Sequence, residues 1–116
     1  MTTRNEEFWD HADRLVAASR IIVDRPRGSR HPRYPDTVYP LDYGYLENTT
    51  AADGDGIDVW LGTLVERRVT GMIVALDLLK RDVEVKLLIG CTSDEADHVL
   101  TFQRSESQSA VLVPRS

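Results

Sequence analysis

The amino-acid sequence predicts a mainly β fold of the α+β class, a small closed or partly closed barrel with flanking helices. Three observations carry that reading. Short apolar runs alternate with tight, polar connections. The segment after residue 82 alternates with period two. Two segments, one at each flank, open with the Thr-x-x-Glu signature of a helix start.

Residues 4–18 have helical spacing in Phe8, Ala12, Leu15 and Val16, with Thr3 and Glu6 as a capping box. This helix is expected to cover one side of a sheet. Arg20 to Asp24 (RIIVD) is a short strand that Pro26 and Gly28 end. Residues 25–37 form a loop dense in arginine and proline, and Thr37 to Leu46 is a tyrosine-rich extended stretch with a turn at Gly44. Residues 47–56 are loop, and Ile57 to Gly62 is a strand. Gly71 to Leu79 and Val83 to Gly90 read as a hairpin joined at Lys80-Arg81-Asp82. Thr92 and Glu95 open a second helix reaching about Phe102, and Ala110 to Val113 is a closing strand. The expected organisation is one domain over residues 1–116, with residues 1–19 packed on it as the N-terminal helix.

The bulk properties narrow the function. A chain of 116 residues that is 41% hydrophobic and 28% charged supports one modest core. Its net charge of −5 argues against nucleic acid as a partner. Its apolar runs are far shorter than the ~18 residues of a membrane span. Glu6, Glu7, Asp10 and Asp13 argue against a signal peptide, and Cys91 is the sole cysteine, so a cytoplasmic setting is expected.

The densest chemistry lies in Asp53-Gly54-Asp55-Gly56-Ile57-Asp58. The glycines permit a tight turn that brings the acids together. A calcium-binding EF-hand does not fit, because Asp58 stands where glycine is required and Leu64 where the last Glu belongs. Two carboxylates about 4 Å apart repel by roughly 4 kcal/mol at an effective dielectric near 20, so convergence needs a cation or a shared proton. Hard oxygen ligands favour Mg²⁺, Mn²⁺ or Ca²⁺ over zinc. Spacing alone leaves a metal site and a polar turn both open.

Other residues add to this. Period two sets Glu84 and Lys86 on one strand face, with Asp82 in the turn before them. Asp77 interrupts an apolar strand, where an acid needs a partner. Arg25, Arg27, Arg30 and Arg33 cluster within nine residues, and arginine forks suit phosphate oxygens. A solvated strand face and a solvated basic loop are the bland alternatives. Tyr39, Tyr43 and Tyr45 pack their rings and leave a hydroxyl for a polar partner. His11 and His98 sit on the two helices away from any ligand spacing.

At this point VYPLDYGYLENTTAADGDGIDVWLG resembles the central segment of soluble (family I) inorganic pyrophosphatases. That segment has a Tyr-Pro, an Asn-Tyr-Gly-Tyr, a threonine-containing loop and an Asp-Gly-Asp-Pro-Leu-Asp-Val motif. The match covers residues 38–62, and extends loosely through RIIVDRP and DVEVKLL. The chain resembles a short version of that enzyme with an added N-terminal helix. The resemblance implies a five-stranded OB-like barrel, Mg²⁺ (or Mn²⁺) as cofactor, and hydrolysis of pyrophosphate to two phosphates. It implies Asp53 and Asp58 as metal ligands, and Asp55 between metals, orienting or deprotonating the attacking water. It implies that Tyr43 contacts the water network or product phosphate. By the same resemblance Glu84 and Lys86 would supply a metal ligand and a phosphate contact, and Asp77 and Asp82 compete for a further metal position. Asp24 replaces an early glutamate, and Arg30 and Arg33 stand for a lysine and an arginine of a shortened hairpin.

Three departures are visible. Gly56 replaces a proline, the hairpin glutamate is missing, and Phe102-Gln103-Arg104 stands near where a phosphate-binding Tyr-Lys pair belongs. The partners implied are a small phosphate-containing substrate and further copies of the chain, since bacterial members assemble into hexamers. Two competing readings use the same barrel: hydrolysis of another small diphosphate, and a catalytically silent binding protein.

Overall fold

The computed structural model describes residues 3–116; residues 1 and 2 of the N-terminal segment lie outside that range. The elements are α1 (Arg4–Ala17), β1 (Ile21–Arg25), β2 (Asp42–Leu46), β3 (Ile57–Leu61), β4 (Val69–Asp77), β5 (Asp82–Ile89), α2 (Ser93–Phe102) and β6 (Gln108–Pro114). The strands form one sheet in the order β1-β2-β3-β5-β4-β6. Its pairings are antiparallel except that of β3 with β5. The mainly β, OB-like expectation holds, with six strands rather than five in the sheet. The pairing among the described residues stops at β1 and β6 and does not close.

Each helix covers one face of the sheet. The Thr3–Glu6 and Thr92–Glu95 capping boxes both form. The face of α1 is shifted from the sequence expectation: Trp9, Ala12 and Val16 are buried, while Phe8 and Leu15 stay exposed at 48% and 38%. Burying the indole removes more apolar area from water than burying the phenyl, so the helix rotates toward Trp9. These residues pack with Leu46, Val59, Val69, Leu87 and Ile89. On the other face, Ala96 and Val99 of α2 pack with Tyr39, Trp60, Ile73 and Leu88.

Glu95 does more than cap. One carboxylate oxygen accepts from the Thr92 N–H at 2.9 Å and from the Thr63 N–H at 3.1 Å, tying α2 to the loop after β3. Burial works against the charged form, but these hydrogen bonds outweigh it and hold the Glu95 pKa below its ordinary value. Its contribution is therefore full above the ordinary carboxylate range and is lost as pH falls through the lowered value. Glu95→Ala should lower stability by about 1 kcal/mol at neutral pH. The gap to the parent chain should narrow in acid; urea unfolding at both pH values checks it, and an unchanged gap would refute the account.

Two local expectations are corrected. Gly44 does not make a turn but lies inside β2. A Cβ there would sit 1.8 Å from the Ile22 carbonyl oxygen, so glycine is required by the close approach of β1. The stretch Thr37 to Leu41 is not strand either; Val38 makes a single bridge to Arg30. At the far edge, Arg104 donates to the Ala110 carbonyl at 3.1 Å. With Pro114 ending the strand, this blunts the β6 edge against pairing with another chain.

Candidate active site

The parallel pairing of β3 with β5 sets Asp58 opposite Lys86, and the pairing of β2 with β3 sets Tyr43 opposite Trp60. The result is a cluster around one ammonium. Lys86 Nζ donates to Tyr43 Oη at 2.7 Å, to Asp58 Oδ2 at 3.1 Å and to Glu84 Oε2 at 3.1 Å. It also lies 5.1 Å from the centre of the Tyr43 ring. Lys86 is only 6% exposed. Burial disfavours its charge, but Tyr43, Asp58 and Glu84 outweigh that and raise its pKa. Burial pushes the Tyr43 phenol up to about 12; Asp58 adds to this and Lys86 opposes it. At neutral pH Lys86 is an ammonium and Tyr43 a neutral phenol, so neither is a base.

The acidic loop is built by its own backbone. Gly54 takes φ +89°, which favours glycine. Asp53 Oδ1 accepts from the Asp55 N–H at 3.0 Å. Thr49 Oγ1 donates to the Leu46 carbonyl at 2.7 Å and accepts from the Ile57 N–H at 3.0 Å, so one hydroxyl clamps both ends of the loop. Thr49 was not singled out in the sequence, although its place between the tyrosines and the acids is a signal for such a clamp.

Asp53, Asp58, Asp82 and Glu84 line one cavity of about 430 Å³, which Phe8 and Leu15 of α1 and Val83 and Val85 of β5 also line. Asp55 and Asp77 do not line it. Asp55 is exposed on the loop. Asp77 ends β4 and accepts from the Leu79 and Lys80 N–H groups at 2.9 and 3.1 Å, which satisfies the acid in a turn. The expected convergence of Asp53, Asp55 and Asp58 is not found. Among the described residues no three acidic, histidine or cysteine side chains group as metal ligands would. The reason is local: Asp53 is taken up by a backbone N–H and Asp58 by the Lys86 ammonium. The four polar side chains that line the cavity are nevertheless all carboxylates, the donor type that a hard divalent cation takes, while the rest of its lining is apolar. Asp58 and Glu84 already hold a cationic group between them.

The phosphate-facing expectations are distributed differently. Arg30 donates to the Pro35 carbonyl at 2.7 Å and braces its own loop. The Arg33 N–H is bonded to His31 Nδ1 at 3.1 Å. Asp24 is exposed at the end of β1. Phe102 packs on Tyr39 and Trp60, with ring centres 5.0 and 5.4 Å away. Gln103 is buried and accepts from Trp60 Nε1 at 3.4 Å. Phe102 and Gln103 are thus part of the core.

Comparison with known proteins agrees with this architecture. The family model described as inorganic pyrophosphatase matches residues 17–103. The inorganic pyrophosphatase of Streptomyces coelicolor is 31% identical over 91% of this chain and 66% of its own length. That of Saccharolobus solfataricus is 37% identical over 66% of this chain and 43% of its own. The chain thus spans less than two thirds of these curated relatives. Among solved structures, an inorganic pyrophosphatase from Neisseria gonorrhoeae superposes with a TM-score of 0.63 at 19% identity, covering 82% of this chain and 81% of that one. The Helicobacter pylori enzyme superposes with a TM-score of 0.58 at 15% identity, covering 81% of each chain. With a family model matching most of its length and a fold shared with solved members, the chain belongs to the soluble inorganic pyrophosphatase family.

Proposed function

We propose that this chain hydrolyses inorganic pyrophosphate to two phosphates with the help of a divalent cation, Mg²⁺ or Mn²⁺. The observation that carries the reading is the Lys86 ammonium held between Asp58 and Glu84, two acids that line one cavity together with Asp53 and Asp82. Asp53, Asp58, Asp82 and Glu84 would hold the cation. Asp82 is preferred to Asp77, whose carboxylate is engaged in its own turn. A bound divalent cation supplies charge neutralisation for the diphosphate and lowers the pKa of a bound water.

The chain's own residues do the rest. Lys86 offers positive charge at a fixed point, because three hydrogen bonds orient it. Tyr43 stays protonated and works as a hydrogen-bonding group that orients Lys86. Asp55 lies outside the cavity lining but on the loop that carries Asp53, and its side chain makes no hydrogen bond among the described residues, so we assign it the proton of the attacking water.

The test is phosphate release from pyrophosphate by the purified chain. Turnover should require Mg²⁺ or Mn²⁺, vanish with a chelator and return when the metal is restored in excess. No phosphate at high enzyme with either metal would sink the proposal.

A further inference from the structure

We infer that Arg25 grips the substrate's phosphate oxygens in this site, an inference that rests on the proposed action on pyrophosphate. The backbone of β1 places it there. Ile22 lies opposite Tyr45 and Val23 opposite Gly44, so simple alternation would bring Asp24 to the face that carries Tyr43. The register shifts between Val23 and Arg25, and it is Arg25 that lies opposite Tyr43. A bulge re-aims a strand in this way. The arginine therefore joins the row that runs through Tyr43 to Trp60, beside the row of Asp58 and Lys86.

Its surroundings hold it as an anion ligand. The guanidinium carbon lies 5.5 Å from the centre of the Tyr39 ring, and Nη1 donates to the Tyr39 hydroxyl. The Tyr39 and Tyr43 rings are 5.9 Å apart, and Tyr43 bonds Lys86. An aromatic shelf thus links the two cations. Arg25 is half-buried, and its one side-chain hydrogen bond among the described residues goes to a neutral hydroxyl. Most of its five N–H donors remain for a second partner.

Charge accounting singles it out. Among the described residues every ion pair belongs to Lys86 or Arg115. Lys86 faces two carboxylates, so its charge is already matched before any anion arrives. Arg30 is turned to its own loop and Arg27 is exposed. Arg25 is the half-buried cation by the shelf with no carboxylate on it. Partial burial of an unmatched charge is unfavourable, and a phosphate oxygen relieves it. The contact with Tyr39 fixes the fork beforehand, which lowers the ordering cost of binding.

The experiment compares the parent chain with Arg25→Ala, Arg25→Gln, Arg33→Ala and Arg67→Ala, the last an exposed control. KM and kcat for pyrophosphate with Mg²⁺ are measured alongside the Kd for imidodiphosphate, a non-hydrolysable probe, and the Tm. Arg25→Ala should raise both KM and Kd ten- to a hundred-fold, with kcat within about three-fold, as expected for a lost charge-assisted hydrogen bond. Arg25→Gln keeps one N–H for Tyr39 and should bind nearly as poorly at an unchanged Tm. If its KM and Kd match the parent's, or if Arg33→Ala carries the loss instead, the inference is overturned. A parent chain that binds imidodiphosphate but releases no phosphate ends the hydrolysis reading and leaves Arg25 to be decided by Kd. A parent chain that does not bind it overturns both.

Discussion

Lys86→Met should destabilise the chain by about 2 kcal/mol and reduce turnover at least a hundred-fold. Methionine keeps the apolar stem that packs beside Tyr43 and removes only the ammonium. Removing one partner of a buried ion pair costs about 3–5 kcal/mol, because the other is left uncompensated. Here the Lys86 side chain is 8% exposed but the side chains of Asp58 and Glu84 are each 28% exposed, so water offsets part of that loss. The two acids would then face each other with no cation between them. Stability of the variant should rise with added Mg²⁺ more steeply than that of the parent chain. Urea unfolding at several Mg²⁺ concentrations reads both effects. A variant as stable as the parent, with the same response to Mg²⁺, would mean that Lys86 does not balance those acids.

That cluster was half legible in the sequence. Alternation in β5 put Glu84 and Lys86 on one face, and the structure keeps them there. The other two members were not readable from local pattern. Asp58 lies 28 residues from Lys86 and Tyr43 lies 43 residues away. They meet because β3 runs parallel to β5 and pairs with β2 on its other side, and pairings across such distances leave no mark in the periodicity of the strands. The same limit applies to β1, where alternation points to Asp24 and the bulge substitutes Arg25. Helix starts, by contrast, are local: Thr3–Glu6 and Thr92–Glu95 could be read directly because a capping box needs only four residues. The face of α1 fell between these cases. Its periodicity was clear, but the choice between Phe8 and Trp9 depended on the sheet beneath. Gly44 misled for a related reason, since a glycine needed for close approach in a strand looks like a glycine needed for a turn.

Asp55→Asn should lower kcat about a thousand-fold, within the span usual for loss of a general base, while leaving KM and stability close to those of the parent. The structure separates the loop's acids by what each already does. Asp58 is engaged by Lys86, and Asp53 accepts from the Asp55 N–H. The Asp55 side chain makes no hydrogen bond among the described residues, so its carboxylate is available as a proton acceptor. Asparagine keeps its shape and the backbone N–H that Asp53 binds, and Thr49 still clamps both ends of the loop. A loss confined to kcat therefore reports the carboxylate's chemistry and not the loop's fold. Asp58→Asn gives the contrast: it weakens the Lys86 cluster, so stability and metal requirement should change together with turnover. If Asp55→Asn retains full kcat while Asp58→Asn does not, the proton acceptor must be sought among the acids that line the cavity, Asp53, Asp82 and Glu84.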